Sequence, residues 1–160
     1  VMIRPIRPED EPMMVEFHES LSERTVYQRY LQALNLSQRT AHERLTRICF
    51  IDYARQMALV AERTDPATGK KSIIGVGRLQ GLTAAAEAEF AIVVTDQFQR
   101  MGLGTELLRR LVDIGRAEGV KVITADILAE NAGMQKTSEK LGFKIIRELG
   151  DPVVSVRLEL

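Results

Sequence analysis

Apolar residues recur along the chain in two periods, one near 3.6 and one of 2, and the changes of period divide it into elements. Ile3 to Arg7 reads as a short strand, and because Pro5 has no N–H for a ladder, that strand belongs at a sheet edge. Pro8-Glu9-Asp10-Glu11-Pro12 then opens a helix, since acidic side chains complement the positive end of its dipole and proline suits its first turn. Met13, Met14, Phe17 and Leu21 follow at helical spacing. Ser22 to Leu31 starts with a capping residue and predicts a second short helix. Ser37 is placed to cap a third, running to about Ile48 with Leu45 and Ile48 on its apolar side.

Strand periodicity then takes over. Gln56 to Glu62 is a strand, Thr64 to Lys70 a loop of turn-forming residues, and Ile73 to Leu79 the returning strand of a hairpin. After a loop at Leu82 to Ala86, Glu87 to Thr95 predicts a strand whose Phe90-Ala91-Ile92-Val93-Val94 is continuously apolar and therefore buried. Leu107, Leu108, Leu111, Val112 and Gly115 make one helical stripe, with Arg109, Arg110, Asp113 and Arg116 opposite and Gly119 as the stop. Val120 to Leu128 is a strand. Glu130-Asn131 precedes a short helix through Leu141, Phe143 to Ile146 begins another strand, and Val154, Val156, Leu158 and Leu160 alternate in a last one. The sum is about seven strands and five or six helices, an α/β chain with a mixed, mostly antiparallel sheet flanked by helices. A ligand is expected where the antiparallel meander turns parallel and the sheet opens.

Composition narrows the classes. At 160 residues the chain is read as one domain, 1–160, large enough for a real core, although its abrupt start in a strand also suits a domain cut from a longer fused chain. Net charge is zero, so neither a nucleic-acid nor a membrane surface is expected, and no apolar run approaches the roughly 20 residues that span a bilayer. One cysteine, Cys49, and two histidines, His18 and His42, make no usual zinc set, and no metal is expected. A lone thiol in an apolar stretch reads as a buried residue of a reducing compartment, and Val1 to Pro8 carry arginines and prolines rather than a signal-like apolar run, so a cytoplasmic location is expected by default.

The candidate chemistry centres on Phe98-Gln99-Arg100-Met101-Gly102-Leu103-Gly104-Thr105, which joins the buried strand to the amphipathic helix. Its two glycines let the backbone turn tightly and remove side chains that would keep its amides from a ligand. The first N–H groups of the helix have no partner within it and converge, backed by the helix dipole, on a site suited to phosphate or pyrophosphate. The alternative is a plain turn, and the loop lacks the third glycine or the lysine of nucleotide-binding loops.

Gln99-x-x-Gly102-x-Gly104 between strand and helix resembles the signature loop of the GNAT acyltransferase superfamily. The resemblance implies that the amides of Arg100, Met101, Gly102, Leu103, Gly104 and Thr105, following Gln99, hold the pyrophosphate of acetyl-coenzyme A, the co-substrate. It implies also that the backbone of Ile92, Val93 and Val94 pairs with the pantetheine arm like an added strand. Glu89, ten residues before Gln99, matches the general base of the protein-lysine-modifying branch. An amine acceptor arrives as ammonium, with a pKa of ~10.4 for lysine, and must lose a proton before attacking a thioester. Partial desolvation beside Phe90 and Ala91 is expected to make Glu89 more basic, with Asp126 on the adjoining strand as its rival.

Asn131 matches the asparagine that contacts the coenzyme arm in many relatives, and Ser138 stands where they often have a tyrosine that protonates the departing thiolate. Serine is a poor acid, yet a thiol of pKa ~8.5 leaves tolerably as thiolate. Three stretches, Ile3 to Asp10, Leu21 to Tyr30, and Ile51-Asp52-Tyr53 before Met57 to Ala61, are similar to the acetyltransferase domain of Pat-type bacterial protein lysine acetyltransferases. The implied acceptor is a protein lysine, such as one on an acyl-CoA synthetase. The early helices are expected to wall the side where the acceptor enters, with Tyr27, Arg29 and Tyr30 as contacts or simply as packing and solvated residues. A small-molecule amine acetyltransferase and a non-catalytic acetyl-CoA sensor are the alternatives.

Overall fold

The computed structural model describes residues 1–30, 38, 40–49, 56–81, 86–147 and 150–160. Its strands are β1 (Met2–Pro5), β2 (Gln56–Thr64), β3 (Lys71–Gln80), β4 (Glu87–Val94), β5 (Val122–Leu128), β6 (Lys144–Ile146) and β7 (Val153–Glu159). They form one seven-stranded sheet in the order β1-β2-β3-β4-β5-β7-β6. The helices are α1 (Glu11–Glu19), α2 (Glu23–Tyr30), α3 (His42–Cys49), α4 (Leu103–Ala117) and α5 (Ala132–Lys140). The α/β mixed sheet read from the sequence is therefore the architecture found, and β1, with its Pro5, lies at an edge. Ser37, proposed to cap the third helix, and Ile51-Asp52-Tyr53 lie outside the described residues. Thr95 leaves the predicted strand because Asp96–Phe98 forms a 3₁₀ turn before the glycine loop.

Alternation along β4 decides which side chains meet which layer. Ala88, Phe90 and Ile92 face α4 and α5, joining Leu107, Leu108, Leu111 and Val112 in one core. Val93 faces the other way and joins Met14, Phe17, Leu45 and Cys49 under α1 and α3. A Cβ on Gly75 would lie 3.2 Å from the Leu103 side chain, and one on Gly77 would lie 3.2 Å from Leu111. Their bareness lets α4 settle onto β3, which fixes where the helix begins. Burial pushes the Cys49 thiol up to about 11, the inert buried role expected.

The N-terminal strand is tied down by charge. The Arg4 guanidinium donates to both Asp10 oxygens (2.8 Å each) and to Glu62 (2.9 Å), and the Arg7 N–H donates to Asp10 (2.8 Å). Burial pushes the Asp10 carboxyl up, but the bonds from Arg4 and Arg7 outweigh it and hold the group below its usual range. Arg4 likewise holds Glu62 down, against its burial. Groups whose folded pKa is depressed stabilise the fold above their unfolded values, ~3.9 and ~4.3, and lose that contribution as pH falls through the folded ones. Thermal melts are therefore expected to show Tm falling from pH 5 to pH 3, with Asp10→Asn less stable at pH 7 and flatter across that range. An unaltered slope in the variant contradicts this.

No helix among the described residues is long and apolar enough to cross a membrane. No cluster of three or more His, Cys, Asp or Glu among them is placed to hold a metal.

Candidate active site

The parallel pairing of β4 with β5 covers Glu87–Glu89 against Val122–Thr124. Beyond that point β4 stays with β3, through Phe90↔Leu79 to Val94↔Gly75, while β5 stays with β7 through Leu128↔Val153. The sheet splits where the sequence predicted an opening, and Glu89 occupies the last paired position, at the apex of the split. A cleft of about 960 Å³ fills the opening, at the upper end of the range for small-molecule sites. Its β4 wall is the backbone from Phe90 to Val94, whose edge toward the cleft can accept an extended ligand arm as a further strand.

The far end of the cleft is the start of α4. Arg100 (φ 62°) and Gly102 (φ 85°) both adopt left-handed backbone, which turns the chain sharply into the helix. The Glu106 N–H makes the helix's first bond, to the Gly102 carbonyl at 3.0 Å. The amides of Leu103, Gly104 and Thr105 therefore precede the intrahelical ladder, with the positive end of the dipole behind them. A Cβ on Gly104 would meet nothing within 4 Å, and Gly102, Gly104 and Thr105 line the cleft. The one carboxylate of the first turn, Glu106, is held on the outer surface by Arg109 and by Arg110 at 3.1 Å. Such a mouth suits a diphosphate.

A polar brace fixes this loop against α2. The Gln99 side-chain amide donates to the Val94 carbonyl (3.0 Å) and the Thr25 hydroxyl (3.1 Å). Asp96 accepts from the Ser22 N–H (3.0 Å), the Ser22 hydroxyl (2.8 Å) and Thr25 (3.1 Å). Burial raises the Asp96 carboxyl, but these bonds prevail and hold it below the usual aspartate value. The brace escapes sequence reasoning because its partners on α2 and the loop lie 71 to 74 positions apart, although Ser22 was recognisable as a cap.

Residues 1–144 match the family model of the acetyltransferase (GNAT) domain. The chain belongs to the GNAT acetyltransferase family. It is 29% identical over 143 residues to an acetyltransferase of Pseudomonas aeruginosa, covering 89% of this chain and 74% of that one. It is 30% identical over 148 residues to acetyltransferase Pat of Mycolicibacterium smegmatis, covering 91% of this chain but 42% of that protein. The GNAT domain of S. lividans PAT superposes with a TM-score of 0.84 at 25% identity, over 99% of this chain and 89% of that one. At the level of fold alone, yncA from Salmonella typhimurium, solved with acetyl-CoA, aligns with a TM-score of 0.68 at 20% identity, over 99% and 93% of the two chains.

This GNAT chain brings most of the candidate residues predicted from its sequence to one cleft. Glu89, Ile92, Val93 and Val94 line it from β4, Gln99, Arg100, Gly102, Gly104 and Thr105 from the loop and α4, and Asn131 from the start of α5. Met101 and Leu103 do not line it: the Met101 side chain is exposed, and Leu103 packs on the core, which leaves them their backbone amides. Gln99 spends its side-chain amide on the brace, and Asn131 uses its side-chain oxygen to cap α5 through the Met134 N–H at 3.2 Å.

Two expectations need correction. Ser138 is fully buried, donates to the Met134 carbonyl at 2.9 Å and does not line the cleft, because it sits on the α5 face turned to the core. It is not placed to protonate a thiolate. Glu89 is exposed rather than partly out of water, and Phe90 beside it points into the core on the opposite face of β4. Of the acceptor-side candidates, Arg29 lines the cleft, Tyr27 is 45% exposed and does not, and the Tyr30 side chain lies outside the described residues. Lys136 and Lys140 of α5 and Arg24 of α2 also line the cleft. Their type suits a phosphorylated ligand, but a charged residue on a helix reads in sequence as a solvated one.

Proposed function

We propose that the chain transfers the acetyl group of acetyl-CoA to the side-chain amine of a protein lysine, by direct attack in a ternary complex. The observation that carries this is the position of Glu89, at the apex of a split sheet whose other end is an open helix mouth. With the diphosphate on the amides of Gly102 to Thr105, the pantetheine arm runs along the edge of β4 toward Glu89. Glu89 takes the ammonium proton, directly or through one water. The freed nitrogen attacks the thioester carbonyl carbon, the C–S bond breaks with coenzyme A leaving as thiolate, and the second proton of the nitrogen passes to solvent or to that thiolate as the amide forms. Holding both reactants in one cleft supplies much of the acceleration. Ser138 has no part in this scheme, and the modest basicity of a thiolate leaving group, ~8.5, removes the need for a strong acid.

The relatives named Pat support a protein acceptor, and an acyl-CoA synthetase is our candidate for it. A chain whose one cysteine is buried suits a reducing compartment, and we place the reaction in the cytoplasm. Coenzyme A release is expected to rise when a host-cell lysate is added, with new acetyl-lysines found by mass spectrometry. Release that responds to free amines and not to protein overturns the lysine acceptor.

A further inference from the structure

A second cavity, of about 220 Å³, lies between α1, α3 and the sheet, and shares Ala91, Val93 and Arg29 with the coenzyme cleft. Arg29, Arg44, Arg78 and His18 line it, Gln56 and Gln80 add side-chain amides, and the rest of its described lining is apolar. Among the described residues no Asp or Glu lines it. The sheet register ties this cavity to the apex. Gln80 stands opposite Glu89 and Arg78 opposite Ala91, so Arg78 is the diagonal neighbour of Glu89 on one face. Diagonal neighbours are roughly 7–8 Å apart. Arg78 is 8% exposed, and a guanidinium so placed acts on an anion with little screening from water.

We infer that this cavity sets acceptor specificity by taking a carboxylate carried close to the reacting amine. The inference rests on the acetyl transfer proposed above, and for a protein acceptor it means a lysine with Asp or Glu within two residues. Arg29, Arg44, Arg78 and His18 each already have an interaction within the chain. An arriving carboxylate therefore joins or replaces existing bonds of these side chains. A lysine flanked by lysine or arginine brings further positive charge to the same guanidinium groups and is disfavoured.

The test compares N-acetylated peptides holding one target lysine with Asp, Asn or Arg two positions away, read as kcat/KM from coenzyme A release. The Asp peptide is expected to exceed the Asn peptide by about tenfold or more, the size of one hydrogen bond to a charged group. Arg44→Gln, at a half-buried position, is expected to reduce that ratio toward one, and Arg78→Gln to do the same if its melt matches wild type. Equal use of the Asp and Asn peptides, or a preference that survives Arg44→Gln, overturns the inference. If no peptide reacts but free amines do, the protein acceptor is excluded, and amino acids compared with their methyl esters then decide. Preference for the free carboxylate supports the cavity's role, and indifference overturns it.

Discussion

Glu89→Gln is expected to lower kcat by 10²–10⁴-fold, the usual range for loss of a positioned general base, while the affinity for coenzyme A stays within twofold of wild type. The amide keeps the size of the side chain and its place on β4, and removes the basicity. Neighbouring acids are not equivalent. Asp126 also lines the cleft, but it lies on β5 past the split and its carboxylate accepts a bond from the Ser155 hydroxyl at 3.1 Å. Glu87 faces Arg157 at 3.8 Å and lines neither cavity. Glu89 lines the cleft and shares its sheet face with Gln80 and Arg78, where an acceptor is expected. Its exposure leaves water access until coenzyme and acceptor cover it. Steady-state rates of Glu89→Gln beside Asp126→Asn decide the matter: near-normal turnover in the first with a loss in the second contradicts the assignment.

Gly104→Leu is expected to weaken coenzyme A binding by about a hundredfold, near 2.7 kcal/mol, with no fall in Tm. The folded chain has room for the side chain, because a Cβ at Gly104 meets nothing within 4 Å. Gly104 lines the cleft beside the first amides of α4, so a leucine there is expected to crowd the diphosphate. Gly102→Ala is the contrasting variant. Its φ of 85° is a left-handed conformation that costs a side-chain-bearing residue about 1–2 kcal/mol, so its Tm falls. Calorimetric titration with coenzyme A, run with melts of the same samples, separates occupancy of the mouth from backbone strain. Unchanged affinity in Gly104→Leu removes the mouth from the binding site.

Much of this was legible in the residue pattern because it depends on local physics. Alternation and helical stripes marked the strands and helices, and Gln99 to Thr105 marked the anion mouth by the chemistry of bare backbone at a helix start. The opening of the sheet was legible as a change from antiparallel to parallel pairing. What escaped depends on contacts between distant parts of the chain. Asp96 holds Ser22 and Thr25 across more than 70 positions, and Arg4 reaches Glu62 across 58. Ser138 was expected at the ligand from its spacing to Asn131, but spacing does not say which face of a short helix turns inward. Glu89 was expected to be partly desolvated by Phe90 and Ala91, yet strand neighbours point to opposite faces, and only Ala91 shares its side. Arg29, Arg44 and Arg78 come from α2, α3 and β3, and no single stretch of sequence contains their meeting.

Transfer at Glu89 requires the donor to lie along β4 with its diphosphate at the start of α4. A crystal structure with coenzyme A is predicted to show diphosphate oxygens at hydrogen-bond distance, about 2.7–3.2 Å, from the amides of Gly102 to Thr105, with the thiol arm along β4 toward Glu89. A diphosphate bound elsewhere, or an arm ending away from Glu89, contradicts it.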